Sequence, residues 1–82
     1  MTKEQQLEKI NHFIIDTFLF GEDRGLKYSD SLLGKGIIDS SGILELVEFL
    51  ESSFNIQVKD DEIIPDNLDS IEKIGAFVAR KS

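Results

Sequence analysis

Apolar residues recur at three- and four-residue spacing in three parts of the chain, which is the period of a helix with one buried face. The first part predicts a helix over residues 3–19, with Thr2 as its cap and Glu4 in its first turn. The second predicts a helix over residues 40–53, and the third a helix over residues 71–80. The apolar residues behind these predictions are Leu7, Ile10, Phe13, Ile14 and Phe18, then Ile43, Leu46, Val47, Leu50 and Phe54, then Ile71, Ile74 and Val78, with Phe77 partly inward.

The segment FGEDRGLKYSDSLLGKG, between the first two helices, is rich in glycine and polar residues and predicts a long loop. Within it, DSLL predicts a single helical turn. The side chains expected to hold the loop against the core are Leu26, Tyr28, Leu32 and Leu33. Further along, a helical turn is predicted over residues 60–64, ended by Pro65, and Asp69 or Ser70 can cap the last helix.

The predicted elements define an all-α fold in one domain, residues 1–82. The expected architecture is a small bundle of three main helices plus a short helix, with a long loop between helices 1 and 2. No strand-like alternation persists beyond a few residues. A chain of this length buries roughly 60% of its unfolded surface, which is too little for a deep catalytic cavity.

The composition argues against several classes of function. The chain has no cysteine and one histidine, so it has no thiol of its own and a zinc site of the His/Cys type is not expected. A formal net charge of −7 argues against binding to nucleic acid or to an anionic membrane and favours basic partners. The start, MTKEQQLEK, is unlike a signal peptide, and FIIDTFLF is too short to span a bilayer, so a soluble cytoplasmic protein is expected.

The stretch GIIDSSG places two adjacent hydroxyls at the start of the predicted second helix. Asp39 is a favoured N-cap, which makes Ser40 the first helical residue. A hydroxyl there is well placed to carry a phosphate, because the amino end of a helix favours anions. Catalysis by the serine is disfavoured, because the chain's one histidine, His12, is expected at a surface position in the first helix. Matches to G-x-S-x-G and G-x-G-x-x-G are incomplete, and no strand precedes them.

The carboxylates predict no metal site. Three glutamates of the second helix, Glu45, Glu48 and Glu51, are expected on its solvent side. The acidic cluster near residues 60–66 lacks the glycine and the alternation of a calcium loop.

The stretch GIIDSSGILELVEFLESSFNIQVKDDEI resembles the acyl carrier protein and peptidyl carrier protein family. That family carries Asp-Ser-Leu at the start of its second helix. A Glu-Leu pair, Leu-Glu, a Phe and an Ile or Val follow before an acidic cluster. Asp39 and Ser40 match the first two motif positions. The later matches follow without a gap at Glu45, Leu46, Leu50, Glu51, Phe54, Val58, Asp60 and Glu62. SIEKIGAFV looks like the family's last helix, so the resemblance covers essentially the whole chain.

The resemblance implies a carrier protein and not an enzyme. Ser40 would receive a 4′-phosphopantetheine arm from coenzyme A, installed by a phosphopantetheinyl transferase that uses Mg²⁺. The thiol of the arm would then hold an acyl or aminoacyl group as a thioester. Asp39 would cap the helix and help recognition by the transferase. The further partners implied are acyl- or aminoacyl-activating and transferring enzymes with basic docking patches. The carrier itself is expected to be a monomer.

A docking surface is predicted on the second helix, because residues 36–58 contain no Lys or Arg. Glu45, Glu48 and Glu51 form an acidic strip, and Leu44 lies beside it, turned away from the buried face as an apolar anchor. An ordinary solvated helix face is the alternative interpretation of the same residues.

Ser41 is a departure from the family pattern, because it stands where the family has Leu, and Gly42 follows it. The family's Leu offers an apolar contact to partner enzymes. Ser41 and Gly42 are therefore expected to set partner choice, although a serine also simply suits the start of a helix. The expected function is a stand-alone carrier in a specialised biosynthetic pathway rather than in bulk fatty acid synthesis. The alternative is an acidic helical interaction module without a prosthetic group.

Overall fold

The computed structural model describes residues 2–81, which contain four α-helices, one 3₁₀ helix and no β-strand. The helices are α1 (Lys3–Phe18), α2 (Ser40–Phe54), α3 (Pro65–Leu68) and α4 (Ile71–Lys81), and the 3₁₀ helix spans Asp60–Glu62. The all-α class is confirmed, as are three main helices, a short helix and a long loop between α1 and α2. None of the helices in the described range is long and apolar enough to cross a membrane.

Side-chain caps fix where the first and last helices begin. The Thr2 hydroxyl accepts a hydrogen bond from the Gln5 backbone N–H at 3.1 Å, and the Gln5 side chain accepts one from the Thr2 N–H at 2.9 Å. This reciprocal pair satisfies two backbone donors that helix geometry leaves unpaired, so the predicted Thr2 cap is confirmed. At α4 the cap is Ser70, whose hydroxyl accepts from the Lys73 N–H at 3.1 Å.

The core lies where α4 packs against both α1 and α3. Its fully buried side chains are Ile10, Ile14, Leu32, Leu46, Leu50, Leu68, Ile71, Ile74, Phe77 and Val78. The prediction that Phe77 faces only partly inward is wrong, since this side chain is 1% exposed. Because α4 packs against both α1 and α3, more of its surface is buried than the apolar stripe in its sequence indicates. An aromatic contact that the sequence analysis did not include adds to the packing, because Phe49 stacks on Phe13 with ring centroids 4.0 Å apart.

The long loop is fastened to the start of α4 through Asp69. The Asp69 carboxylate accepts hydrogen bonds from the Ser31 hydroxyl, at 2.8 and 3.0 Å, and from the Leu33 N–H at 2.9 Å. The Asp69 carbonyl oxygen accepts from the Leu32 N–H at 2.7 Å. The Lys35 N–H donates to the Ser31 carbonyl oxygen at 3.0 Å, so one helical turn overlaps the DSLL stretch, as predicted, and it does not extend into a helix. Leu32 is buried as expected, whereas Leu33 is 38% exposed, so its predicted place against the core is wrong.

Pro65 begins a helix instead of only ending one. The 3₁₀ helix stops at Glu62, short of the predicted residue 64, and Pro65 is the first residue of α3. Proline suits that position because the first N–H groups of a helix need no partner inside it. The Asn67 side chain ties α3 back by donating to the Glu62 carbonyl oxygen at 2.9 Å. The Glu62 carboxylate accepts from the Lys81 ammonium at 2.8 Å, which fixes this segment to the end of α4.

Candidate functional site

Asp39 caps α2 from an extended backbone conformation, as predicted. One oxygen of its carboxylate accepts hydrogen bonds from the Gly42 N–H and from the Ser41 hydroxyl, both at 2.9 Å. These two bonds, the one from Gly42 first, lower the pKa of Asp39 below its usual value. Asp39 is therefore an ionised and fixed group at the start of α2, where negative charge is favoured.

The two adjacent serines are not equivalent. Ser40 is the first residue of α2 and is exposed. Among residues 2–81 the Ser40 hydroxyl has no hydrogen-bond partner, whereas the Ser41 hydroxyl donates to Asp39. The geometry therefore leaves the Ser40 hydroxyl free of hydrogen bonds within the described residues and gives Ser41 a part in the cap.

Gly42 is buried against the end of α1. A Cβ atom at this position would lie 2.8 Å from Phe18 Cε1 and 3.3 Å from Ile38 Cγ2. The prediction that Gly42 helps to set partner choice is wrong, because a side chain here would point into the protein and not towards a partner. Glycine at this position lets the Phe18 ring approach α2 closely, and a side chain here would displace that ring. The contact also shows that the carboxyl end of α1 and the amino end of α2 lie at the same end of the molecule.

The residues predicted for docking differ in their surroundings. Leu44 is 61% exposed, and Glu45 and Glu48 are exposed beside it on α2. Glu51 is half-buried, and its carboxylate accepts a hydrogen bond from the Val58 N–H at 3.0 Å. Glu51 thus has a structural contact that joins α2 to the segment after it, and the docking role of all four residues stays a prediction.

One exposed aromatic residue was missed by the sequence analysis. Phe20 is 86% exposed and has a left-handed backbone with φ of 54°. It follows Phe18 by two residues and so lies at the Ser40 end of the molecule. The only sequence signal is its position directly before Gly21, where a helix commonly ends.

The other candidate groups lie apart from Ser40 or do not converge. His12 is an exposed residue of α1 that contacts Asp16 at 2.8 Å, in agreement with its predicted surface position. Within residues 2–81 no three His, Asp or Glu side chains lie close enough together to hold a metal ion.

The site residues fit a covalently attached phosphopantetheine group. Ser40 is exposed and has an unengaged hydroxyl at the amino end of a 15-residue helix. A phosphodiester at that position is favoured by the positive end of the helix dipole.

The depressed pKa of Asp39 predicts an acid-dependent loss of stability. An acidic group with a folded pKa below its unfolded pKa stabilises the fold above the unfolded value, and this contribution is lost as the pH falls through the folded value. Asp39→Asn keeps a capping oxygen but removes the charge. We therefore expect the stability advantage of the wild type over Asp39→Asn to be constant above about pH 5 and to shrink as the pH falls from there towards about pH 2. Urea unfolding of both proteins across this range measures it, and a constant difference would contradict the assignment.

Comparison with known proteins identifies the class. A scan of the chain against protein-family models found no match. The chain is 37% identical over 71 residues to "Probable acyl carrier protein PigG" of Serratia sp., an alignment that covers 87% of this chain and 80% of the relative. It is also 37% identical over 67 residues to the D-alanyl carrier proteins of Streptococcus pyogenes serotypes M1 and M49, covering 79% of this chain and 85% of each relative.

The helical fold and these relatives together define a carrier protein and not a catalyst. The chain belongs to the acyl carrier protein-like family.

Proposed function

We propose that this carrier holds an acyl or aminoacyl group as a thioester on a 4′-phosphopantetheine arm attached to Ser40. The observation that supports the proposal is the exposed, unengaged hydroxyl of Ser40 as the first residue of α2, next to a Ser41 hydroxyl that is bound to Asp39. The arm, when attached, supplies the thiol that a chain without cysteine lacks.

Ser40 depends on another enzyme for its activation. In the attachment step the Ser40 oxygen bonds to the phosphorus of the phosphopantetheine phosphate of coenzyme A, and the adenosine bisphosphate part leaves. The hydroxyl proton passes to a base of the transferase. Asp39 is a poor candidate for that base, because its carboxylate accepts two hydrogen bonds and its pKa is lowered. Its proposed role is to hold the start of α2 in the form that the transferase recognises.

The proposed cargo follows the names of the relatives, which are an acyl carrier protein and D-alanyl carrier proteins. The proposed setting is a dedicated biosynthetic pathway in the cytoplasm, in which a monomeric carrier serves a particular activating or loading enzyme. The exposed polar Ser41 beside Ser40 supports a dedicated partner, because it offers no apolar contact at that point.

Intact-protein mass spectrometry tests the proposal. The purified protein is incubated with coenzyme A, Mg²⁺ and a phosphopantetheinyl transferase, and we expect a gain of one phosphopantetheinyl group. A protein that folds and yet gains no mass would instead favour the interaction module without a prosthetic group. The loaded carrier is then incubated with acyl- and aminoacyl-activating enzymes, and the added mass identifies the cargo.

Charge reversal on α2 is expected to slow the encounter with partner enzymes. Glu45 and Glu48 are exposed, and residues 36–58 contain no cation to offset them. The double variant Glu45→Lys/Glu48→Lys should lower kcat/KM for arm transfer or cargo loading by roughly tenfold at low salt, mainly through slower association. Raised salt should slow the wild type and narrow the gap between the two proteins.

A matched control for this variant is Glu4→Lys/Glu8→Lys, which changes the net charge equally on exposed positions of α1. These positions lie towards the end of α1 remote from Ser40, so the control should load at nearly the wild-type rate. Equal rates for the wild type and the α2 variant at low salt would remove the docking role.

A further inference from the structure

A cavity of about 280 Å³ lies between the end of α1 and the long loop. It is lined by Leu19, Leu26 and Ile37 and by two cations, Arg24 and Lys35. The apolar side chains are buried or half-buried, whereas the Arg24 and Lys35 side chains are 66% and 56% exposed. The cavity therefore has an apolar interior and two cationic groups at its opening, which we name the loop cavity.

The loop cavity lies within reach of Ser40. Ile37 precedes Ser40 by three residues, a separation of at most about 11 Å in extended chain. Leu19, at its other side, directly follows Phe18, whose ring lies against the Gly42 backbone in the first turn of α2. Short stretches of chain thus connect the lining of the cavity to Ser40 on both sides, which places the cavity close to a flexible group attached there.

The two cations are held loosely by their present partners. Arg24 lies 4.0 Å from the Glu22 carboxylate and Lys35 lies 3.7 Å from that of Asp30. Both separations are long for an ion pair, and three of the four side chains are more than half exposed, the exception being Asp30 at 20%, so either cation can turn towards another anion. Along the chain beyond Ser40, the first cation is Lys59. An anionic group attached near Ser40 is therefore favoured next to the loop, which carries Arg24 and Lys35, over the acidic surface of α2.

A second cavity near α2 lacks this complementarity. It has a volume of about 90 Å³ and is lined by Leu33, Ile43, Ile63, Ile64, Pro65 and Leu68, with no cation among them. It offers neither the volume of the loop cavity nor a partner for a phosphodiester.

We propose that the loop cavity is a resting site for the phosphopantetheine arm of Ser40. Arg24 and Lys35 bind the phosphodiester, and the apolar interior takes up the uncharged part of the arm. The proposal rests on the attachment of the arm to Ser40, as proposed above. Tethering raises the effective concentration of the arm to roughly the millimolar range, so weak contacts are enough to populate the site. With the arm on the loop side, the exposed face of α2 at Leu44, Glu45 and Glu48 stays open to a partner.

Nuclear magnetic resonance of ¹⁵N-labelled protein tests the resting site. Spectra are recorded before and after arm attachment, and intact mass is used to verify that attachment is complete. We expect shift changes at the Leu19 and Leu26 amides, which are far in sequence from Ser40. Contacts between the geminal methyl groups of the arm and the side-chain methyls of Leu26 and Ile37 are also expected in nuclear Overhauser spectra.

Removing the cations should weaken the resting site without preventing attachment. In Arg24→Gln/Lys35→Gln, the shift changes at Leu19 and Leu26 should fall by about threefold. Lys27→Gln/Lys73→Gln is the matched control, because it removes the same charge at exposed positions that do not line the cavity, and its changes should equal those of the wild type.

The outcomes distinguish a failure of the resting site from a failure of arm attachment to Ser40. A fully loaded protein whose shift changes are confined to residues 38–42, or extend to the second cavity at Ile43 and Leu68, would overturn the resting site and leave the arm on Ser40 intact. Equal changes in the cation variant and in its control would overturn the role of Arg24 and Lys35. A folded protein that gains no mass would overturn both proposals.

Discussion

Ser40→Ala will fold like the wild type and will gain no arm, even with excess transferase and coenzyme A. Ser40 is exposed and its hydroxyl bonds to no described residue, so its removal should change the free energy of unfolding by no more than about 0.5 kcal/mol. Asp39 supplies the cap, and alanine is favourable at the first position of a helix. Intact mass after incubation measures attachment, and thermal unfolding followed by circular dichroism measures stability.

The matched control is Ser41→Ala. It removes the adjacent hydroxyl together with its bond to Asp39, but it leaves the Ser40 hydroxyl in place. This variant should load completely, at most with a slower rate. A loaded Ser40→Ala protein, or a folded Ser41→Ala protein that stays unloaded, would show that the arm is attached elsewhere.

We expect Ser41→Leu to make this carrier a better substrate for the enzymes of fatty acid synthesis. Ser41 is exposed on the first turn of α2, directly after the attachment residue, so a leucine there adds an apolar contact for a partner. Burying that side chain in a well-packed interface contributes about 1.5–3 kcal/mol, or roughly ten- to hundredfold in affinity. We expect malonyl loading and chain elongation to improve by about that factor, and loading by the carrier's own partner to weaken.

Ser41→Ala again provides the control, because it removes the same hydrogen bond as Ser41→Leu without adding a large apolar side chain. Malonyl loading of Ser41→Ala should therefore stay near that of the wild type. The interpretation of Ser41 fails if the wild type already supports elongation as well as a standard fatty acid carrier does. It also fails if Ser41→Leu is no better than Ser41→Ala.

The start of α2 shows what a sequence can predict. An N-cap depends on a side chain and a backbone group three residues apart, so Asp39 and the first helical position could be identified from local sequence alone. The helical period likewise predicted three helices to within a residue or two at their ends, because it reflects the buried face of each helix. The exposure of Leu44 follows from the same periodicity.

The errors arise where distant parts of the chain meet. Ser31 and Asp69 are 38 residues apart, and the hydrogen bonds between them, which fasten the long loop to the start of α4, were not predicted. The close approach of Phe18 explains Gly42 as a packing residue, although local reasoning indicated a role in partner choice. Such tertiary contacts cannot be predicted from the local sequence, and they can override the local preference for a secondary structure. The loop cavity was missed for the same reason, since its lining comes from separate parts of residues 19–37.

The proposed attachment at Ser40 is tested most directly by peptide mapping of the wild-type protein after incubation with coenzyme A, Mg²⁺ and a phosphopantetheinyl transferase. Trypsin cuts after Lys35 and Lys59 and at no point between them, so one peptide contains both Ser40 and Ser41. Fragmentation of this peptide in the mass spectrometer distinguishes the two residues. The predicted result is a single phosphopantetheinyl group on Ser40. A folded protein that gains no arm, or an arm found on Ser41 or elsewhere, would contradict it.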